Sequence, residues 1–312
     1  MLRRHRAPVD SSTADSEAAL LPSPSPCLKQ TFCLTVDVEE WFHVLDSPVA
    51  PGIEKWNTLE SRFVVSTERI LHLLEGNGVK ATFFWLGWCA QRAPQLVRMC
   101  ASAGHEIASH GYAHVLAYEA GREAFREDVR KGKSVLEDIT GTSVAGFRAA
   151  GFSTREDTPW TFEEIRSAGH FYDSSVFPGR RAHGGARRAP LQPHTIDTQA
   201  GLLVEIPQSM IEVMRVRLSL FGGGYLRLAP LWLIKRAVAN VLDKGRPLII
   251  YVHPREIDPE HPRLPLGPVR RFKSYVNIHT TLSKLRYLCS NGDFQTMGEL
   301  AARVTPVNVW KV

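Results

Sequence analysis

The stretch "LTVDVEEWFHV", residues 34–44, decides how this chain is read. Leu34, Val36 and Val38 alternate with Thr35, Asp37 and Glu39, so the apolar side chains take one face of a strand and the carboxylates the other. A strand that reads as core yet ends in Asp37, Glu39 and Glu40 poses a problem, because burying an unpartnered carboxylate is costly. These groups need a cation, a proton-transfer role or open water.

Strands and helices alternate from Thr31 onward. "TFCLTVDV", "VKATFFWLG", "HEIAS", "VAGFRAAGFS", "HFYDSSVFP", "GLLVEIPQS" and "RPLIIYVHPRE" read as strands. "SRFVVSTERILHLLEGNG", "APQLVRMCASAG", "TPWTFEEIRSAG", "LAPLWLIKRAVANVLDKG" and "HTTLSKLRYLCSNG" carry helical spacing with helix-stop signals. "YEAGREAFREDVRKGKSVLEDITG" reads as one long charged helix, and "TMGELAARV" as a last short one. This order predicts a parallel sheet covered by helices, either a closed or nearly closed barrel or a doubly wound sheet. The Gly/Arg/Pro-rich segment 178–194 reads as a long surface loop near a site.

The chain has 312 residues and a net charge of +6. No basic block with interleaved aromatics is present, which argues against a nucleic-acid partner. Five cysteines, an odd number without a CxxC pair, predict buried thiols rather than a disulfide framework or a cysteine zinc site. They favour a reducing compartment. The Ser/Pro/Ala-rich start lacks an apolar leader core, so residues 1–29 are expected to be a disordered tail. No apolar run is long enough for a transmembrane span. A cytoplasmic location follows, with a membrane-peripheral one as the alternative.

In parallel α/β architectures reactive groups gather at the C-terminal ends of strands. Asp37 and Glu39, His110 and His114, Arg148, Asp173 and His253 all fall at such ends. Two histidines four apart, joined by one carboxylate, suit a catalytic zinc or related divalent ion. Of Asp37 and Glu39, one can bind the ion and the other can take a proton. Arg148 among carboxylates would orient and ionise the base. His253 is a candidate general acid, with Asp173 holding its other ring nitrogen.

"LTVDVEEW", "SHGYAH", "GFRAAGFS", "DSSVFP" and "IYVHPREIDPEHPRL" follow one another in the order and spacing of the polysaccharide deacetylase (NodB-homology, carbohydrate esterase) family. "FGGGYLRLAP" and "RFKSYVNIHTTLSKLRYL" resemble the C-terminal extension of its exosortase/PEP-CTERM exopolysaccharide-locus subgroup. The resemblance implies a distorted (β/α)-barrel over residues 30–300, with the extension at about 255–300 packed on it and 301–312 as a C-terminal tail. It also implies a hydrolase, usually zinc-dependent, that removes acetyl from an N-acetylated glycan. Carried over, Asp37 is the base, His110 and His114 are metal ligands, Arg148 pairs with the base and His253 is the acid. Val38 stands where the family commonly has its metal-binding aspartate, so the third ligand is assigned to Glu39, with Glu40 as fallback. Ala150 stands where a proline is usual, which bears on the backbone near Phe152. Trp41, Tyr112, Phe152 and Tyr225 are candidates for substrate contact, with Trp85 a weaker one. A small-molecule amide hydrolase and a non-catalytic sugar-binding component are the alternative functions.

Overall fold

The computed structural model describes residues 31–45, 47–181, 183–214, 216–305 and 309–310; the expected N-terminal tail lies outside them. The chain opens with β1 (Thr31–Val38), α1 (Phe63–Glu75), β2 (Thr82–Trp85), α2 (Gly87–Arg92), α3 (Pro94–Ser102) and β3 (Glu106–Ser109). It continues with α4 (Ala117–Ala120), α5 (Arg122–Thr140), β4 (Gly146–Phe147), α6 (Trp160–Ser167) and β5 (Tyr172–Asp173). Two hairpins follow, β6 (His194–Thr198) with β7 (Gly201–Glu205), and β8 (Ile211–Val213) with β9 (Val216–Leu218). The remaining elements are α7 (Gly223–Leu228), α8 (Leu231–Asp243), β10 (Leu248–Val252), α9 (Pro268–Tyr275), α10 (Thr281–Cys289), β11 (Asp293–Phe294), α11 (Met297–Ala301) and β12 (Val309–Trp310).

The main sheet runs β10-β1-β2-β3-β4-β5-β7-β6-β12, with β11 added to β1. Its ladders are parallel except for β6–β7. The sheet curls until the segment after β7 reaches β10. There Ser209 Oγ accepts from Ile249 N (2.8 Å) and donates to the Pro247 carbonyl (3.2 Å), so a side chain closes a seam with no strand ladder. This is the distorted (β/α)-barrel expected from the sequence. The expected single helix over 118–141 is divided, because Gly121 takes φ 78° between α4 and α5. Among the described residues no helix is long and apolar enough to cross a membrane.

The alternation read in β1 sorts its side chains between two environments. Phe32, Leu34, Val36 and Val38 pack outward with Ile70, Leu74, Leu285 and Leu288 of the surrounding helices. Cys33 points inward with Phe84, Ala108, Tyr172, Ile249 and the α11 residues Met297 and Leu300. Each such side chain contributes about 1.5–3 kcal/mol by leaving water. Because α11 plugs the end where the strands begin, the interior is filled below and open only where the strands finish. Cys33, Cys89, Cys100 and Cys289 are buried free thiols. Burial pushes Cys100 and Cys289 up to about 12, far from a reactive thiolate.

Candidate active site

Asp37 continues the inward row of β1 above Thr35 and meets Arg148, which follows β4. Arg148 Nη1 donates to Asp37 Oδ1 (2.6 Å) and to Thr35 Oγ1 (2.8 Å), and Nη2 donates to Ser174 Oγ (3.1 Å). Its guanidinium also lies 4.1 Å from the Phe84 ring centroid. Both partners are buried. A buried ion pair is tolerable only with its remaining hydrogen bonds made, and this arginine has them.

The two histidines stand on a loop held from outside the barrel. Tyr112 N and Ala113 N donate to Asp128 Oδ2 and Oδ1 on α5, at 2.9 and 2.8 Å. A Cβ placed on Gly132 of α5 would fall 2.6 Å from the Gly111 carbonyl, so glycine there permits the close approach. Gly111 at φ 77° and His114 at φ 54° complete a turn that only glycine adopts freely. Strain of this kind persists where the surroundings enforce it, and it concentrates at functional sites.

Glu39, His110 and His114 each offer one ligand atom, all within 4.8 Å of one another and all buried. His110 Nδ1–H donates to the Arg148 carbonyl (2.7 Å), which leaves the Nε2 lone pair for a ligand. Burial, against the pull of Asp37, holds the His110 imidazole down at about 4, so it stays neutral. Glu39 Oε2 lies 2.6 Å from His114 Nε2, yet it is buried without a hydrogen-bond partner. The two atoms lie close enough together to share one ion. Two imidazoles and a carboxylate in this arrangement fit a divalent ion. Glu40 faces the other way, accepting from Arg62 N on both oxygens (3.1 Å each) at the start of α1.

His253 follows β10, with Nε2 at 3.9 Å from Asp37 Oδ2 and 3.7 Å from Glu39 Oε1. Its other nitrogen corrects one expectation. Nδ1–H donates to Glu256 Oε2 (2.9 Å), not to Asp173. Asp173 points below the site, where it accepts from Ser175 Oγ (2.5 Å) and lies beside Glu205. Burial raises its carboxyl to about 6. Glu256 sits three residues past His253 in a 3-10 turn that Pro254 opens, so backbone geometry brings the two together. Burial pushes the Glu256 carboxyl up, but Arg227 and His253 outweigh it and hold it at about 2. Burial likewise opposes the His253 imidazolium, and the carboxylates of Glu39 and Glu256 reverse that and raise its pKa above the usual histidine value.

These groups line a cavity of about 520 Å³ at the open end of the barrel. Phe152 and Tyr225 also line it, as do Arg180 and Arg181 of the 178–194 loop. Trp41, Tyr112 and Trp85 do not. Trp41 is buried, with Nε1 donating to the Glu60 carbonyl (2.9 Å), and Tyr112 donates outward to Gln91 (2.9 Å) beneath Lys131. Trp85 is fully buried against the helices. His43 lines the cavity and escaped the sequence reading; its Nδ1 accepts from Glu40 N (3.2 Å), and its Nε2 is buried without a partner. Only its position four residues past Glu39 pointed to it.

Residues 58–170, which carry His110, His114 and Arg148, match the family described as polysaccharide deacetylase. Over that segment, about a third of its length, the chain is similar to polysaccharide deacetylases. Residues 174–302, with Arg227, His253 and Glu256, match a second family described only as a domain of unknown function, DUF3473. Asp37 and Glu39 precede both matched segments. A peptidoglycan-N-acetylglucosamine deacetylase of Bacillus cereus is 35% identical over 75 residues, 24% of this chain and 27% of its own length. A chitooligosaccharide deacetylase of Sinorhizobium fredii is 37% identical over 72 residues, covering 23% of this chain and 34% of that protein. The matches thus span well under half of these curated deacetylases. A Mycobacterium smegmatis structure assigned as a polysaccharide deacetylase superposes with a TM-score of 0.60 at 20% identity, over 91% of this chain and 93% of that one. At that identity the superposition speaks for the shared barrel alone.

Proposed function

We propose that this protein belongs to the polysaccharide deacetylase family and is a divalent-metal-dependent hydrolase, zinc being the ion its ligands suit best. It removes N-acetyl groups from N-acetylhexosamine residues of a polysaccharide or its precursor, in exopolysaccharide assembly. The observation that carries the reading is the convergence of Glu39, His110 and His114 beside an arginine-held carboxylate and a carboxylate-held imidazole. The deacetylases to which the chain is similar support the reaction class. The exopolysaccharide setting rests on the motif resemblance, and a reducing compartment on the unpaired buried thiols.

What a bound divalent ion supplies there is Lewis acidity, polarising the acetyl carbonyl and acidifying water. Asp37 acts as the base. Its Oδ1 is engaged by Arg148, so Oδ2 is the atom that takes the proton from the attacking water. His253 Nε2, on the same side of the cavity, gives a proton to the departing amine nitrogen, and Glu256 on Nδ1 favours the imidazolium needed for that step. The products are a free amino sugar and acetate. Tyr225, 58% exposed at the cavity mouth, is placed to stack on a sugar ring. The test is acetate release from N-acetylated oligosaccharides before and after chelation. Release that stops with chelator and returns with zinc is expected; no release from any N-acetylated glycan by the loaded protein contradicts the reading.

A further inference from the structure

The cavity is lined by three carboxylates and twice as many cationic side chains, and each carboxylate is already matched. Arg148 engages Asp37, Glu39 belongs to the ligand cluster, and Arg227 lies 3.2 Å from Glu256. Arg180, Arg181, Arg270 and Lys273 meet no carboxylate among the described residues. They come from two elements, the 178–194 loop and α9. A helix with no buried residue, α9 offers Arg270 and Lys273 to the cavity. Arg270 Nη2 also reaches across to the Leu45 carbonyl.

Arg181 is the built member of this set. Its guanidinium lies 4.7 Å from the Phe152 ring centroid and 4.9 Å from that of Phe177, both rings buried. It also hydrogen-bonds the buried Tyr251 phenol. Tyr251 in turn stands edge-on to His253, with ring centroids 6.0 Å apart. A guanidinium fixed by aromatic faces keeps N–H groups in its plane for a planar or tetrahedral oxyanion, and it loses little freedom on binding one. Neutral sugars give such a group nothing to neutralise. Low-dielectric walls also focus the field of the rim cations into the cavity.

We propose that the cavity takes a glycan bearing a carboxylate or phosphoryl group beside the N-acetylated sugar, and that Arg181, backed by Arg180, Arg270 and Lys273, binds that group. The proposal deepens the deacetylase reading and rests on it for the sugar, while the anion subsite is tested without turnover.

In the Asp37→Asn variant, calorimetry compares three probes: neutral N,N′-diacetylchitobiose, a glucuronate-containing N-acetylglucosamine disaccharide and N-acetylglucosamine 1-phosphate. One or both anionic probes should bind about 10- to 100-fold more tightly than the neutral one, the effect of one charge-assisted contact. The preference should weaken with added salt. It should fall towards parity when Arg181→Met is added. It should also fall in the Arg270→Gln/Lys273→Gln pair, which sits on an exposed helix and serves if the Arg181 variant does not fold. The anionic probe that binds more tightly identifies the class. Equal binding of all three probes, or a preference that survives both sets of changes, overturns the proposal. Vesicles of phosphatidylglycerol that lose the protein in these same variants, with glycan probes at parity throughout, would assign the cations to a membrane surface and also overturn it. Failure of the metal-loaded wild type to release acetate while the preference holds would sink the deacetylase reading alone.

Discussion

Glu106, half-buried, and Glu39, fully buried, are carboxylates at opposite ends of one barrel, and they are treated differently. At the end closed by α11, Glu106 accepts from Thr82 Oγ1 (2.7 Å), Tyr172 OH (2.8 Å) and Gly298 N (2.8 Å), so both its oxygens are used. At the open end, Glu39 Oε2 has no hydrogen-bond partner, and its neighbours are histidine nitrogens and Arg255. Full satisfaction is what a structural carboxylate needs. A buried oxygen left open beside two imidazoles has its use elsewhere, in an ion or a substrate. The comparison teaches that what a carboxylate faces, hydroxyl and amide donors at Glu106 but two imidazoles at Glu39, separates scaffold from site.

The difference predicts that substitutions at the two ends break different things. The largest effect is expected from Asp37→Asn, which keeps the shape but removes the base: kcat should fall about 10²–10⁴-fold, measured by acetate release per folded molecule, and the denaturation midpoint should fall too, because Arg148 loses its buried counter-charge. Glu256→Gln comes next. It takes the charge from the hydrogen bond on His253, a contact of about 1.5–3 kcal/mol, so turnover should drop about 10- to 100-fold. A steady-state comparison at saturating substrate checks it, and unaltered kcat would return Glu256 to a purely structural role. At the closed end, Glu106→Ala should leave activity per folded molecule intact. It should cost on the order of 1–3 kcal/mol for each donor left unsatisfied, read from denaturant unfolding.

The smallest expected effect lies away from both ends. Glu164 on α6 joins Arg122 and Arg126 on α5 at 2.6 Å each, and Arg126 foremost lowers its carboxyl to about 2 from the usual 4.5. A depressed carboxylate stabilises the fold above its unfolded value, and that contribution disappears as pH falls from about 4.5 towards 2. The arginines are partly exposed, so the contribution is on the order of 1 kcal/mol. Glu164→Gln should therefore melt below wild type at pH 7 and converge with it near pH 2.

The open end was the more legible of the two in the sequence. Asp37, His110, Arg148 and His253 each follow or finish a strand, and strand ends converge in a parallel barrel whatever the loops do. Glu39 over Glu40 followed from the two-residue period of β1, which the structure keeps just past the strand end. Asp173 was misread because strand-end position says nothing about direction of contact; it turns to Glu205 and Ser175, while a local turn delivers Glu256 to His253. The Pro254-Arg255-Glu256 sequence carried that signal as a capping pattern. Strand β6 and the β8–β9 hairpin went unread because these strands are only three to five residues long, too short for a periodicity to show. The closed end was opaque for another reason: nothing near Glu106 indicates that Gly298 will close on it from 192 residues away.

The most direct test of the central claim counts metal ions by elemental analysis in wild type, Asp37→Asn and His114→Ala, with acetate release assayed on the same preparations. One divalent ion per chain is expected in wild type and in Asp37→Asn, with turnover in wild type alone, and His114→Ala should hold no ion. A stoichiometric ion in His114→Ala, or full turnover by metal-stripped wild type, would contradict the account.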